Sequence, residues 1–456
     1  MPSQLKYQCA IAVLGALGVT TAQASSFQIL EQSPSKLGTA FSGTGSNIED
    51  ATTVFFNPAG MSQIDERRLT VAANAIVVNS EFNNEGSAAA SGTPLEQPLQ
   101  GVEDETDEVG VVPNLYLVQP LSERWRLGVG INAPFGLASD YGEDWLGRYH
   151  ATESELQVIN VNATVSYSLT DTLAVAVGLN YQYADTTLEN QVDSFGVCAQ
   201  SAGANQMPLD SCFQSFGGSG NVATDSSVEI EGDDDDVVVD LSLYWQPLAS
   251  TSFGVVWREG AEFTLEGDAE FEASSSCAQN PLCAGGLQAL AGDVEASAAM
   301  PDTLTLSGSH RVNGQLAFHA DIAWTEWSTL QQIDIVNTGT DQSISELELN
   351  YGDTVRYALG TTYQATEVWT LRAGLAFDEA PQTDAEFVTP RIPDQDRVWL
   401  AFGLNYVFSD TADIDLGYVH LFVDDAEIDS TEQGNRLLGD FDASVDLFAA
   451  QLNWRF

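Results

Sequence analysis

Basic residues are scarce in this chain: fifteen lysines and arginines stand against sixty-six aspartates and glutamates, a formal net charge of −51. Phosphate recognition needs clustered cations, so nucleic acid and anionic surfaces are excluded as partners. Beyond the first twenty-odd residues the chain also has no apolar run near eighteen residues, which excludes membrane-spanning helices. Histidine is confined to His150, His310, His319 and His420. With no nucleophile-elbow sequence nearby, a Ser-His hydrolase has little to build on. No linker, composition break or internal repeat divides the chain, so it reads as one large domain rather than several.

What is present begins with an address. Lys6 precedes an apolar run from Cys9 to Val19, and Ala22-Gln23-Ala24 has the small-residue pattern of a cleavage site. Residues 1–24 are therefore expected to be an export signal, with a mature chain from Ser25. Export leaves Cys198, Cys212, Cys277 and Cys283, an even number in an oxidising compartment. Local disulfides, Cys198 with Cys212 and Cys277 with Cys283, are expected. The acidic run Asp233 to Asp236 could offer oxygens to a hard cation, although a solvated face is the simpler reading.

Period-two alternation dominates the remainder. Ile159, Val161, Ala163, Val165 and Tyr167 alternate with Asn160, Asn162, Thr164, Ser166 and Ser168, giving one apolar and one polar face of a strand. The pattern recurs from Leu173 to Tyr183, from Val398 to Phe408 and from Phe448 to Phe456. Segmentation gives fourteen strands, beginning near Leu69, Val109, Arg124, Leu156, Asp171, Val237, Phe253, Ala296, Leu316, Ser345, Val368, Asp396, Asp413 and Asp442.

Tight turns at Ser122, Thr170, Ser250, Asn313, Thr366 and Asp410 interleave with mostly long, acidic or Gly/Ser-rich insertions. Short turns on one rim and long loops on the other predict an all-β fold, a 14-stranded antiparallel transmembrane β-barrel over residues 68–456. Closure leaves no backbone group facing lipid. Such a ring is too wide for side chains alone to fill. Residues 25–67 lack alternation yet carry Phe41, Val54, Phe55 and Phe56 among Gly38, Gly43, Gly45 and Pro58. This segment is expected to fold inside the lumen as a plug.

Several stretches, in order, carry a resemblance: "SSFQILEQSPSKLGTAFSGTGS" at the expected mature start, "NPA" at Asn57, Pro58 and Ala59, "VPNLYLVQPLSERWRLGVGINAPFGLA" from Val112, "GRYHA" from Gly147, "DIAWTEWSTLQQ" from Asp321 and "IPDQDRVWLAFGLNY" from Ile392. The chain resembles the outer-membrane long-chain fatty acid transporters and their relatives that import aromatic hydrocarbons. That resemblance implies passive uptake without enzyme, cofactor or metal, by a monomer embedded in outer-membrane lipid of a Gram-negative bacterium. By the same resemblance, ligand is expected to be caught at the outer loops and held in a pocket above a hatch. It is expected to leave sideways through a gap beside a kinked third strand, once movement starting at Phe27 reaches Phe55 and Phe56 through Asn57, Pro58 and Ala59.

Pro113 and Pro134 lie on the second and third strands at nearly equal height and cannot donate to a ladder. With Ala133, Phe135 and Gly136 beside them, they mark either that gap or a rim where pairing ends. Where the family carries basic partners for a carboxylate, the resemblance sets Asp185 and Asp334, which would repel an ionised head group. A neutral hydrocarbon or fatty alcohol is then the alternative cargo, unless Arg148 or Arg372 substitutes. Long-chain fatty acid leads because the apolar contribution exceeds one exposed ion pair. An outer-membrane lipase, a porin and an adhesin are the remaining readings.

Overall fold

The computed structural model describes residues 26–456. The expected export signal lies outside the described residues. Fourteen wall strands follow one another in chain order, each antiparallel to the next. They are β1 (Arg68–Asn84), β2 (Glu105–Pro120), β3 (Trp125–Asp140), β4 (Glu153–Thr170), β5 (Leu173–Val192) and β6 (Ser226–Leu248). Next come β7 (Thr251–Arg258 and Glu262–Glu272), β8 (Gly292–Ala299 and Thr303–Arg311), β9 (Leu316–Thr325 and Gln332–Asn337) and β10 (Gln342–Glu348 and Thr354–Gln364). β11 (Trp369–Asp378), β12 (Arg397–Ser409), β13 (Ala412–Val423 and Ala426–Glu432) and β14 (Asn435–Arg455) complete the wall.

The ring closes where β1 pairs with β14 from Arg68 opposite Arg455 to Asn84 opposite Gly439. Closure removes both edges, so every wall strand has a neighbour on each side.

Alternation sorts side chains as the sequence pattern requires. Asn160, Asn162, Thr164 and Ser166 of β4 are buried inside, whereas Val161 is exposed outside. Leu179, Leu241, Phe253, Leu359, Phe402 and Phe448 join it in an outward apolar belt. Aromatic pairs sit at the short-turn rim: Trp125 with Tyr167 at 4.6 Å, Trp369 with Tyr406 at 4.4 Å and Trp454 with Phe456 at 5.7 Å between centroids. Amphipathic rings at one level mark a membrane interface.

The lumen is filled by the leading segment. Residues 26–61 are almost all buried, although this segment contains only short helical turns at Pro34–Leu37, Thr53–Phe56 and Pro58–Gln63. It touches the wall on all sides because the wall has been thinned to receive it. A Cβ added to Gly128 would lie 2.6 Å from Met61 Sδ, and one on Gly403 would lie 2.8 Å from Gly38 Cα. Added at Gly254, Gly360 or Gly374, it would run into Gly45, Ser42 or Thr39. A ring of inward glycines therefore sets the fit between plug and barrel.

Polar ties hold that fit. Asp321 of β9 accepts from Gly43 N (2.7 Å), Thr44 N (3.0 Å) and Ser307 Oγ (2.6 Å). Arg372 of β11 bridges Asp415 at 2.7 Å and Glu49 at 3.3 Å. Burial makes such pairs costly to break, since one partner is left buried and uncompensated.

On the long-loop side, four short helices that alternation did not foretell occupy two insertions: Ser194–Ala204, Asp210–Phe216, Ser275–Gln279 and Pro281–Leu290. Cys198 is bonded to Cys212 and Cys277 to Cys283. These helices share one apolar cluster containing Val192, Phe195, Phe216, Leu287 and Ile335. The acidic run Asp233 to Asp236 lies within β6, not in a loop. Asp234 Oδ2 accepts from Thr264 N (2.6 Å) and Asp236 Oδ2 from Glu262 N (3.0 Å), so these side chains satisfy backbone donors where β7 is interrupted.

Candidate functional site

β7, β8, β9 and β10 are all interrupted at about the same level. Gly260, Pro301 and Gly352 lie in or beside those interruptions. The displaced chain turns Ala261, Met300, Trp327, Leu330, Leu349 and Tyr351 inward, where they meet Phe27 and Phe135 in one buried apolar cluster. Phe27 lies 5.0 Å from Trp327 and 6.0 Å from Phe135 between ring centroids. Between this cluster and the outer loops is a cavity of about 1020 Å³, whose apolar lining includes Leu137, Phe263, Met300, Ile333, Leu347 and Leu349 and whose remaining lining is polar, with acids such as Glu231, Glu346 and Glu432. Its size is at the upper end for small-molecule sites, and its apolar walls favour an apolar guest.

The wall beside this cavity is incomplete. β2 and β3 pair only from Pro120 opposite Arg126 to Leu115 opposite Ile131. Beyond that point β2 continues on β1 as far as Glu81 opposite Glu105, and β3 continues on β4 as far as Asp140 opposite Glu153. The β3–β4 register shifts between Asn132 and Phe135, with Ala133 and Pro134 as the bulge that bends the strand. Residues 132–137 are consequently all buried, out of alternation. Pro113 sits opposite Ala73 on β1, two residues beyond the last β2–β3 pair.

The leading segment takes up the backbone groups that the missing ladder leaves. Ile29 N donates to Pro134 O (2.8 Å), Gly136 N donates to Phe27 O (2.9 Å), and Gln32 Nε2 donates to Ala133 O (2.6 Å). Gln28 and Phe135 form an antiparallel bridge. One short strap, residues 27–32, thus lines the cavity through Phe27 and covers the unpaired stretch of wall.

Phe55 and Phe56 belong to a second, deeper layer. Phe55 lies beneath the Arg258 guanidinium, 4.1 Å from carbon to ring centroid, and its carbonyl accepts from Arg258 (2.7 Å). Phe56 meets Phe41 at 5.9 Å, and Phe41 meets Trp399 at 6.1 Å. Asn57 pins this layer to the wall: its Nδ2 donates to Gly45 O (2.6 Å) and Leu243 O (3.1 Å), and its Oδ1 accepts from Ala59 N (3.1 Å). Pro58 opens the following 3₁₀ turn, where its missing N–H costs nothing.

The charged positions fall differently from the sequence expectation. Asp185 and Asp334 point away from the cavity: their neighbours Ala184, Thr186, Ile333 and Ile335 line it, and strand geometry sends adjacent residues to opposite faces. Neither acid forms part of the cavity wall that a guest would meet. Arg148 cannot substitute as its partner, because it is already paired with Asp225 (2.8 Å) and donates to Gln100 O (2.5 Å) and Gly220 O (3.2 Å), knotting three loops together. Burial nevertheless pushes Asp225 up to about 6, against the pull of Arg148. Arg372 is consumed by Asp415 and Glu49.

Two cavity-lining groups escaped the sequence reading. Arg391, in the connection between β11 and β12, and His150, between β3 and β4, both line the cavity and are buried. Burial pulls His150 down to about 4, with Arg391 pushing the same way, and pulls Arg391 down to about 10.

A closed ring of strands with an apolar belt, an interface of aromatic pairs and a filled lumen defines a transmembrane β-barrel of the outer-membrane type. Comparison with known proteins narrows the class. Residues 15–456 match the family described as "Outer membrane protein transport protein (OMPP1/FadL/TodX)", and the chain belongs to that family. It is similar to the "Long-chain fatty acid transport protein" of Escherichia coli strain K12, 29% identical over 426 residues covering 90% of this chain and 91% of the relative. It is also similar to "Outer membrane protein P1" of Haemophilus influenzae, 29% identical over 91% of this chain and 89% of that one. In fold it matches a Pseudomonas aeruginosa FadL homologue with a TM-score of 0.84 at 22% identity, over 94% of this chain and 100% of that chain. The Pseudomonas putida toluene transporter TodX gives 0.69 at 19% identity, over 92% and 97%. The chain is thus an outer-membrane protein of a transport family, not an enzyme.

Proposed function

We propose that this protein carries long-chain fatty acids passively across the outer membrane, taking them from the outer loops into the apolar cavity and releasing them sideways between β2 and β3. The observation that carries the reading is the strap: residues 27–32 line the cavity through Phe27 and occupy the unpaired edge of β3. A guest that displaces Phe27 would withdraw the strap and expose a lateral path. The Escherichia coli relative named for long-chain fatty acid transport supports this cargo.

Desolvation supplies the capture energy. Burying about ten methylenes contributes on the order of 8 kcal/mol before costs. Exposed Met207, Leu209 and Phe213 offer a first apolar surface on and between the loop helices. Neutral hydrocarbons are the second reading, supported by the same apolar walls.

Growth on oleate as sole carbon source, in a strain stripped of its own carrier, tests the proposal. Expression of this chain should restore growth, and replacement of Asn57-Pro58-Ala59 by Gly-Ser-Gly should remove it without loss of the assembled barrel. Failure to restore growth, with the barrel correctly assembled, would overturn the reading.

A further inference from the structure

Every buried arginine among the described residues but one has a carboxylate within ion-pair distance: Arg126 with Asp65, Arg148 with Asp225, Arg356 with Asp378, Arg372 with Asp415 and Arg397 with Asp394. The exception is Arg391, only 6% exposed. Its guanidinium donates to Glu153 O (3.1 Å), Ser154 Oγ (2.8 Å), Asn190 Oδ1 (3.3 Å) and Glu189 O (3.5 Å). All four acceptors are neutral. They fix the orientation of the cation and leave its charge unmatched.

His150, 7% exposed, lines the same cavity, and neither ring nitrogen makes a hydrogen bond of good geometry. The Ser430 backbone is its one near polar partner. A buried cation with no carboxylate in ion-pair contact and a buried imidazole without a well-formed hydrogen bond each cost stability unless something completes them.

We propose that Arg391 and His150 form the head-group site of the cavity and receive the carboxylate of a long-chain amphiphile whose tail lies along the apolar walls. The site rests on the uptake reading above and sharpens it: the preferred cargo is an ionised chain rather than a neutral hydrocarbon. Glu432 also lines the cavity and exerts an attraction on Arg391 from beyond ion-pair distance. Burial pushes it up to about 7, with Glu346 and Glu348 raising it further against the pull of Arg391. It is therefore easily protonated and a poor permanent counter-ion. Asp193, Glu231, Glu346, Glu348, Glu386 and Asp429 line the same cavity, but none of them is within ion-pair distance of Arg391, so an entering carboxylate takes over the role of counter-ion.

Binding of palmitate and of hexadecanol, equal in chain length, to purified protein in non-ionic detergent separates charge recognition from structure. Arg391→Gln should weaken palmitate binding about ten-fold or more and leave hexadecanol unchanged. Arg391→Lys should recover part of the palmitate affinity, and His150→Gln should show a smaller loss confined to palmitate. A loss shared equally by both ligands would show that Arg391 merely props the loop, and unchanged binding of both would show no contact; either overturns the head-group site alone. If the unaltered protein binds neither ligand, the uptake reading falls and this site with it.

Discussion

Replacing Asn57 by alanine isolates the seat of the plug from the rest of the barrel. The change removes two bonds from Nδ2, to Gly45 O at 2.6 Å and Leu243 O at 3.1 Å, and one to Oδ1 from Ala59 N at 3.1 Å. Ala59 N keeps a second acceptor in Ser242 Oγ at 3.0 Å, so the unmatched groups are the two carbonyls. With each buried bond worth about 1 kcal/mol net, the cost is about 2 to 3 kcal/mol. That raises the population of the unseated layer roughly 30- to 150-fold. Because Asn57 contributes nothing to the wall ladders, the barrel itself should keep its thermal stability. Hydrogen exchange read by mass spectrometry should therefore quicken at the amides of Gly60 and Ile64, which bond to Asn57 O and Met61 O, while the β1–β14 ladder stays protected. Unchanged protection at Gly60, or a loss spread evenly through the barrel, would refute the claim that this side chain seats the plug.

Three further expectations follow from the same contacts. Gly374→Leu would drive a side chain into the Thr39 backbone; overpacking of this kind costs about 1 to 3 kcal/mol or more, and protease should then cut the leading segment in an otherwise intact barrel. Replacing Cys198 and Cys212 by serine opens a loop of 14 residues, removing about 3 kcal/mol of local constraint, so limited proteolysis should nick the loop helices while the melting temperature of the wall is unchanged. His150 is held near 4 when folded against 6.5 ordinarily. A base with a depressed folded value favours folding fully above 6.5 and loses that contribution as pH falls towards 4. By linkage the loss reaches about 3 kcal/mol, and exchange protection in the outer loops of His150→Gln should lack that part of the acid sensitivity.

Periodicity carried most of the wall. Thirteen of the fourteen predicted strand starts fall within seven residues of the observed ones, because inward and outward positions face different solvents and must differ in polarity. β6 was the exception, beginning at Ser226 rather than near Val237. Its outer half stands clear of lipid, where neither face needs to be apolar, and Asp233 to Asp236 hid it. The loop helices were invisible for a related reason: short Ala, Gly and Ser segments held by disulfides show no apolar stripe.

The interruptions in β7 to β10 did leave a signal, Gly260 and Pro301, legible only once four neighbouring strands are aligned. Asp185 and Asp334 fall outside the cavity lining, and a one-residue difference in register moves a strand side chain to the opposite face. Arg391 is distinguished from the other buried arginines among the described residues by the carboxylate it lacks, a property no linear sequence displays. Pro113, Pro134 and Gly136 were more informative. Their inability to support a regular ladder is a local fact, and the β2–β3 pairing ends beside them.

Gln28 and Phe135 offer the most direct test of release through the wall. They face each other as an antiparallel bridge flanked by the bonds Ile29 N to Pro134 O and Gly136 N to Phe27 O. That is the narrow pair type, with Cα atoms about 4.5 Å apart, within reach of a disulfide. Oleate uptake should be measured for Gln28→Cys/Phe135→Cys beside each single variant and the unaltered protein, before and after mild reduction. The account predicts that the oxidised double variant takes up almost nothing and recovers the rate of the single variants on reduction. Uptake by the oxidised, stapled strap at the rate of the single variants would contradict it.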